Sequence, residues 1–161
     1  MQQDDLYALL DLEERYHLDA AELKRQFLKR SRETHPDFHM QAAPEQQEQL
    51  LLEYSLINDA FKTLSRPRER LAYLLKRYGK LDEGGQQTGE AALPQTFLME
   101  MMELNERVEE AMADEAQRQS VDEETAAMLG DYEEQIDAVM TRFDTAAETA
   151  QRAQILDEAL R

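Results

Sequence analysis

Four of the chain's five glycines lie between positions 79 and 89, and the sequence on either side of them is built for long helices. Elsewhere only Gly130 and four prolines, at 36, 44, 67 and 94, punctuate the chain. So sparse a supply of turn residues excludes a fold of many short strands. The glycine cluster is the one segment composed like a linker, and it divides the 161 residues into two parts. Charge changes at the same place. Residues 1–80 carry 13 Lys/Arg against 14 Asp/Glu, whereas residues 81–161 carry 5 against 21, so nearly all of the formal net charge of -17 belongs to the second part. That asymmetry points to two units facing different partners. We expect an all-α chain with a first unit at 1–78, a linker at 79–93 and a second unit at 94–161.

Several classes of function drop out. The chain has no cysteine, which removes a disulfide scaffold, a thiolate metal centre and a cysteine nucleophile. No apolar run reaches 18 residues, and Met1-Gln2-Gln3-Asp4-Asp5 has neither the basic start nor the apolar segment of a signal peptide. A soluble, cytoplasmic protein with no membrane partner is expected.

In the first part, Leu6, Tyr7, Leu9 and Leu10 suggest a short helix. Asp19-Ala20-Ala21-Glu22 reads as a capping box, followed by a stripe of Ala20, Leu23, Phe27 and Thr34 that ends at Pro36. A second long helix should run from Pro44 to Leu64, with Leu50, Tyr54, Ile57, Phe61 and Leu64 on one side. Pro67 opens a further helix that buries Leu71, Leu74, Leu75 and Tyr78. The two long helices form an antiparallel hairpin, with the short helix packed across it.

Arg25, Lys29 and Arg32 share a face opposite Leu23 and Phe27, flanked by Lys24 and Arg30. A run of charge is ordinarily a solvated helix face. The protein as a whole repels phosphate and no aromatic surface is interleaved with these cations, so nucleic acid is not expected as a partner. An acidic protein surface suits the patch better. The loop that follows begins His35-Pro36-Asp37-Phe38-His39. Two histidines flanking an aspartate raise a metal site or a hydrolase. Against both, Pro36 disfavours the helical conformation that would bring the imidazoles together, and no nucleophile elbow is present. Turn chemistry is the ordinary reading of such a loop.

The order of these pieces changes the reading. A short helix with Tyr7 and Leu10, a basic helix, His35-Pro36-Asp37 at the hairpin tip and then a long helix resemble the J-domain of DnaJ co-chaperones. The resemblance implies that His35, Pro36 and Asp37 contact a DnaK-type chaperone ATPase and stimulate it, with Arg25, Lys29 and Arg32 as electrostatic contacts. Phe38 stands where many J-domains have Lys or Arg.

In the second part, helices are expected from Thr96 to Gln119, from Asp122 to Thr145 with a capping box at Ser120-Val121-Asp122-Glu123, and from Ala146 to Leu160. Their stripes are Phe97/Met101/Leu104/Val108/Ala111, Leu129/Tyr132/Ile136/Val139/Phe143 and Thr149/Ala153/Leu156/Leu160. Three such helices with short connections make an antiparallel bundle. Leu98, Met99 and Met102 lie roughly 90–190° from the first stripe, among Glu103, Glu106 and Glu109, and Ile155 lies away from the third. Single surface hydrophobes are normal. Clustered methionines with an acidic rim read as an adaptable protein-binding patch.

The segment Thr96-Phe97-Leu98-Met99-Glu100-Met101-Met102-Glu103-Leu104-Asn105-Glu106 is similar to the opening of the C-terminal domain of the HscB family. Ile57-Asn58-Asp59-Ala60-Phe61-Lys62-Thr63-Leu64 and Arg70-Leu71-Ala72-Tyr73-Leu74-Leu75 resemble that family too, and His-Pro-Asp-Phe is at home in it. The resemblance implies an L-shaped co-chaperone of iron–sulfur cluster biogenesis. It would be no enzyme and hold no metal or other cofactor of its own. Its partners would be an HscA-type chaperone and the IscU-type cluster scaffold, the latter held by Leu98, Met99, Met102, Glu103, Glu106 and Ile155. A J-domain protein serving another client is the alternative. On the HscB reading, Arg66–Tyr78 and the linker are expected to pack against the bundle.

Overall fold

The computed structural model describes residues 5–82, 84–88, 95–111 and 115–160, and among these it is helical, without strands. The chain separates into two compact units, Met1–Thr88 and Gly89–Arg161.

The first unit opens with α1 (Leu6–Leu9), started by Asp5, whose carboxylate accepts from the Tyr7 and Ala8 amides at 3.1 and 3.2 Å. Tyr7 and Leu10 are buried against α3 (Pro44–Leu64), and the Tyr7 hydroxyl donates to the Arg15 carbonyl at 2.7 Å. Helix α2 (Ala20–Thr34) is capped by Asp19, which accepts from Ala21 and Glu22 at 2.7 and 2.9 Å. Those two donors hold the Asp19 carboxyl below the ordinary carboxylate range. The reciprocal half of the capping box is replaced by a pair between Glu22 and Arg25 at 3.1 Å. Pro36 forces His35 into an extended backbone, φ -64° and ψ 127°, which ends α2.

Antiparallel packing of α2 and α3 buries Leu23, Ile57, Ala60 and Leu64, while Phe27 stacks on Phe61 with ring centres 4.2 Å apart. Thr34 is buried at no polar cost because its hydroxyl donates to the Arg30 carbonyl at 3.1 Å. Ala20 is exposed, contrary to its place in the predicted stripe. It stands at the first helical position, and the buried line begins a turn later at Leu23.

Helix α4 (Pro67–Arg77) buries Leu74 and Leu75 as expected and half-buries Leu71 and Tyr78. It also buries Tyr73 and Arg70, which hydrophobic periodicity does not single out. The Arg70 Nε donates to the Leu64 carbonyl at 2.7 Å, and its terminal nitrogen donates to the Tyr16 carbonyl. Its guanidinium carbon lies 5.7 Å from the Tyr16 ring centre. Arg70 thus joins α4 to the end of α3 and to the segment before α2. Arg70→Met keeps the stem but strands two acceptors, so a loss of about 2 kcal/mol is expected. Urea unfolding of the first unit measures it, and an unchanged midpoint would contradict the role.

Gly79, with φ 68°, closes α4 in a left-handed turn: its amide donates to the Lys76 carbonyl and that of Lys80 to Leu75, at 2.9 and 2.8 Å. The glycine-rich segment then folds back on itself through a bridge between Leu81 and Gln87. The boundary between the two units follows Thr88, inside the segment composed like a linker.

The second unit is a helical bundle built on α6 (Glu115–Thr145), with α5 (Gln95–Ala111) along one stretch and α7 (Thr149–Glu158) along its C-terminal stretch. Arg107 pairs with Glu124 and Phe97 meets Tyr132 edge-on at 5.9 Å, which fixes α5 antiparallel to α6. Arg142 pairs with Glu158 at 2.6 Å, fixing α7 antiparallel as well. Ala111, Val121, Met140, Phe143, Ala146, Ile155 and Leu156 form the buried core.

Several expected details are corrected. Helix α5 ends at Ala111 rather than Gln119, and Ser120-Val121-Asp122-Glu123 lies inside α6 instead of starting a helix. A capping signature acts only where the chain enters from a non-helical conformation. Here Ala, Gln, Arg and Glu on its N-terminal side carry the helix straight through, and Val121 is drawn into the core. Helix α7 begins at Thr149, with Ala146 buried in the preceding turn.

Val108 and Leu129 are 42% and 47% exposed rather than core. The Arg107 side of α5 turns toward Glu124, which carries Val108 to the rim. On α6 the inward line runs through Val121, Thr125, Met128 and Tyr132, and Leu129 lies about 100° around from Met128. Ile155, expected on the surface, is 4% exposed. The inward face of α7 keeps Leu156 and the half-buried Ala153 and Leu160 of the expected stripe, loses Thr149 and gains Ile155. Arg152 joins it by laying its guanidinium 5.1 Å from the Phe143 ring centre and donating to the Ala146 carbonyl at 2.9 Å.

Candidate functional site

Two surfaces carry the candidate residues, one on each unit. The first is the tip of the α2–α3 hairpin. Residues Pro36–Phe38 form a single 3-10 turn, and His35 caps it with its own side chain: Nδ1 accepts from the Asp37 amide at 3.2 Å. That bond leaves the proton on Nε2, free to donate to a partner. The ring is held edge-on against Tyr54 and Phe38, with centre distances of 5.2 and 5.8 Å. The Asp37 carboxylate, by contrast, is 82% exposed. The tip therefore offers a fixed imidazole donor, a rigid proline and a solvated carboxylate within three residues.

His39 does not join His35 as a ligand pair. Its Nε2 donates to the Glu33 carbonyl at 2.6 Å, while Nδ1 of His35 is taken by the Asp37 amide. Among the described residues, no group of three His, Cys, Asp or Glu side chains is placed to hold a metal ion.

Arg25, Lys29 and Arg32 project from one side of α2, all exposed. Arg25 pairs with Glu22, and Lys29 pairs with Asp11 at 3.0 Å, a bond that holds the Asp11 carboxyl below its ordinary range. Exposed pairs of this kind contribute about 0–1 kcal/mol, so both cations can exchange these carboxylates for a partner's. Arg32 and Lys24 are exposed without an ion pair among the described residues. Arg30 differs. Its guanidinium reaches the Leu9 carbonyl, Glu33 and Glu53 at 3.1, 3.0 and 2.8 Å. It braces α1, α2 and α3 together rather than extending the outward patch.

The second surface lies on α5. Leu98, Met99 and Met102 are exposed, Met102 at 71%, with Glu103 and Glu106 exposed beside them. Phe97, Met101 and Leu104 of the same helix are half-buried toward α6. The apolar residues on the outer face are therefore surplus to the packing of the bundle. Ile155, expected as part of the same contact, is core instead.

Sequence reasoning missed Gln47. Its side-chain amide lies 3.0 and 3.1 Å from the Ala42 and Met40 carbonyls, and with Pro36, His39, Met40 and Leu50 it lines a notch of about 230 Å³ beside the tip. The only signal was a polar side chain in the first turn after Pro44, facing a loop short of backbone partners. Tyr54, read only as core, proves to be the support for His35.

Residues 5–73 match the family model of the DnaJ domain, and residues 93–159 match that of the HSCB C-terminal oligomerisation domain. The chain is 33% identical over 115 residues to the human iron-sulfur cluster co-chaperone protein HscB, covering 71% of this chain and 48% of that protein. It is 29% identical over 160 residues to a co-chaperone protein HscB homolog of Neisseria meningitidis, covering 94% and 92% of the two chains. The chain thus spans about half the length of the human relative and nearly all of the bacterial one. The crystal structure of human HscB superposes with a TM-score of 0.69 at 26% identity, over 98% of this chain and 76% of that one. The Vibrio cholerae chaperone HscB gives 0.63 at 26% identity, over 96% and 92%. With both halves matched in order, the chain belongs to the HscB family of J-domain co-chaperones.

Proposed function

We propose that this protein is a non-enzymatic adaptor that binds an IscU-type iron–sulfur scaffold through its second unit and presents it to an HscA-type chaperone. Its first unit engages that chaperone and stimulates ATP hydrolysis by it. The observation that carries the reading is the hairpin tip, where His35 is locked by Tyr54 and by the Asp37 amide while Asp37 remains exposed. A locked donor next to a solvated carboxylate is suited to recognising a polar surface on another protein, because little side-chain freedom remains to be lost. Arg25, Lys29 and Arg32 supply the attraction for an acidic partner surface, which raises the rate of encounter.

The exposed face of α5 supplies the other contact. Methionines adapt to an irregular apolar partner, and Glu103 and Glu106 favour one with a basic rim. Carrying both surfaces on one chain raises the local concentration of client at the chaperone. The names of the relatives support iron–sulfur work as the setting. Isothermal titration with an IscU-type scaffold tests the client: saturable binding at a ratio of one is expected. No binding, with chaperone stimulation intact, would favour a J-domain protein serving another client.

A further inference from the structure

The loop from His35 to Ala43 must hold one shape if its tripeptide is to meet a partner at low entropic cost. Its own backbone supplies little of that order. The Phe38 and His39 amides close the small turn onto His35 and Pro36, both at 3.0 Å, and the Ala42 amide donates to His39 at 2.9 Å. For the carbonyls of Met40 and Ala42 no backbone donor is found among the described residues, and the His39 carbonyl has only the Ala42 amide. All three converge on the side-chain amide of Gln47, with Ala42 at 3.0 Å, Met40 at 3.1 Å and His39 at 3.5 Å. At the opposite end, the His39 Nε2 ties the loop to the Glu33 carbonyl in the last turn of α2, at 2.6 Å. One side chain anchors the loop to α2 and the other to α3.

We infer that Gln47 and His39 are positioning residues that preset His35-Pro36-Asp37 in the conformation the chaperone recognises, an inference that rests on the tip being the chaperone-facing surface. Neither residue touches the partner in this account. Each acts through the population of the competent loop, so its loss raises the apparent dissociation constant by the inverse of that population and leaves the fully bound state unchanged.

Chaperone ATPase turnover is measured against the concentration of full-length co-chaperone for Gln47→Ala, Gln47→Glu, His39→Ala, His39→Gln and, alongside, His35→Gln. Gln47→Ala and His39→Ala should raise the half-saturating concentration roughly three- to ten-fold with the maximal stimulation retained. Gln47→Glu should be worse than Gln47→Ala, because a carboxylate offers acceptors only to carbonyl acceptors. His39→Gln, whose amide places a donor near the position of Nε2, should restore most of the lost affinity. Thermal midpoints of all variants separate loosening of the loop from unfolding of the unit, since a merely structural role would not distinguish Gln from Ala at 39 in ATPase affinity at equal midpoint. Half-saturating values equal to wild type for Gln47→Glu and His39→Ala, with His35→Gln silent, would overturn this inference alone. Stimulation by His35→Gln equal to wild type would overturn the reading of the tip.

Discussion

Replacing His35 by glutamine is expected to abolish stimulation of the chaperone while leaving scaffold binding unchanged. Glutamine is the demanding choice, because it retains both a donor and an acceptor. What it loses is the ring. In the wild type the imidazole is a plane wedged edge-on against Tyr54 and Phe38, with Nδ1 spent on the Asp37 amide, which leaves Nε2 as the donor. A glutamine side chain has three free torsions in place of two and no face to rest on Tyr54. A lost hydrogen bond to a charged partner group is worth about 1.5–3 kcal/mol, on the order of 10- to 100-fold in stimulation. Scaffold affinity, which the proposed function assigns to the second unit, should stay within about twofold, since distant sites contribute independently.

The second large effect is expected on α5. Changing Leu98, Met99 and Met102 together to alanine should weaken scaffold binding by about 3 kcal/mol, on the order of 100-fold in Kd. The three side chains are exposed while Phe97, Met101 and Leu104 face α6, so the substitution removes contact surface without opening a cavity in the bundle. Alanine also has the best helix propensity, which keeps α5 intact. Stimulation of the chaperone in the absence of scaffold should be unchanged. Titration calorimetry and a circular dichroism melt check both parts, and equal loss of both activities at an unchanged melt would contradict the division of the two contacts between the units.

How much of this was legible in the sequence depends on what each signal physically reports. The bounds of α3 were readable because Pro44 and Pro67 punctuate the chain on either side of an uninterrupted stripe. The cap at Asp19 was readable for the same reason, since it stands where a helix must begin. Ser120 carries an equivalent signature but sits in a run of strong helix formers, and propensity over many residues outweighs one cap. Ile155 was misplaced because apolar periodicity counts only apolar residues. The inward side of α7 includes half-buried Arg152, whose guanidinium lies over Phe143, so the full width of that side, which takes in Ile155 beside Leu156, was invisible to that count. Arg70 and Gln47 escaped likewise: their work is done by side-chain donors on distant carbonyls, which no local pattern encodes. At the candidate site the residues themselves were legible, His35, Pro36 and Asp37 among them. Their support by Tyr54 and Gln47 needed the fold.

The central claim is that one chain couples a chaperone-facing tip to a client-facing helix. Scaffold-dependent ATPase turnover of the HscA-type chaperone measures that coupling, with wild type, His35→Gln and the α5 triple alanine variant compared. The account predicts that scaffold enhances turnover only with wild type, that His35→Gln stimulates neither with nor without scaffold, and that the triple variant stimulates but ignores scaffold. Undiminished enhancement by scaffold with both variants would contradict it.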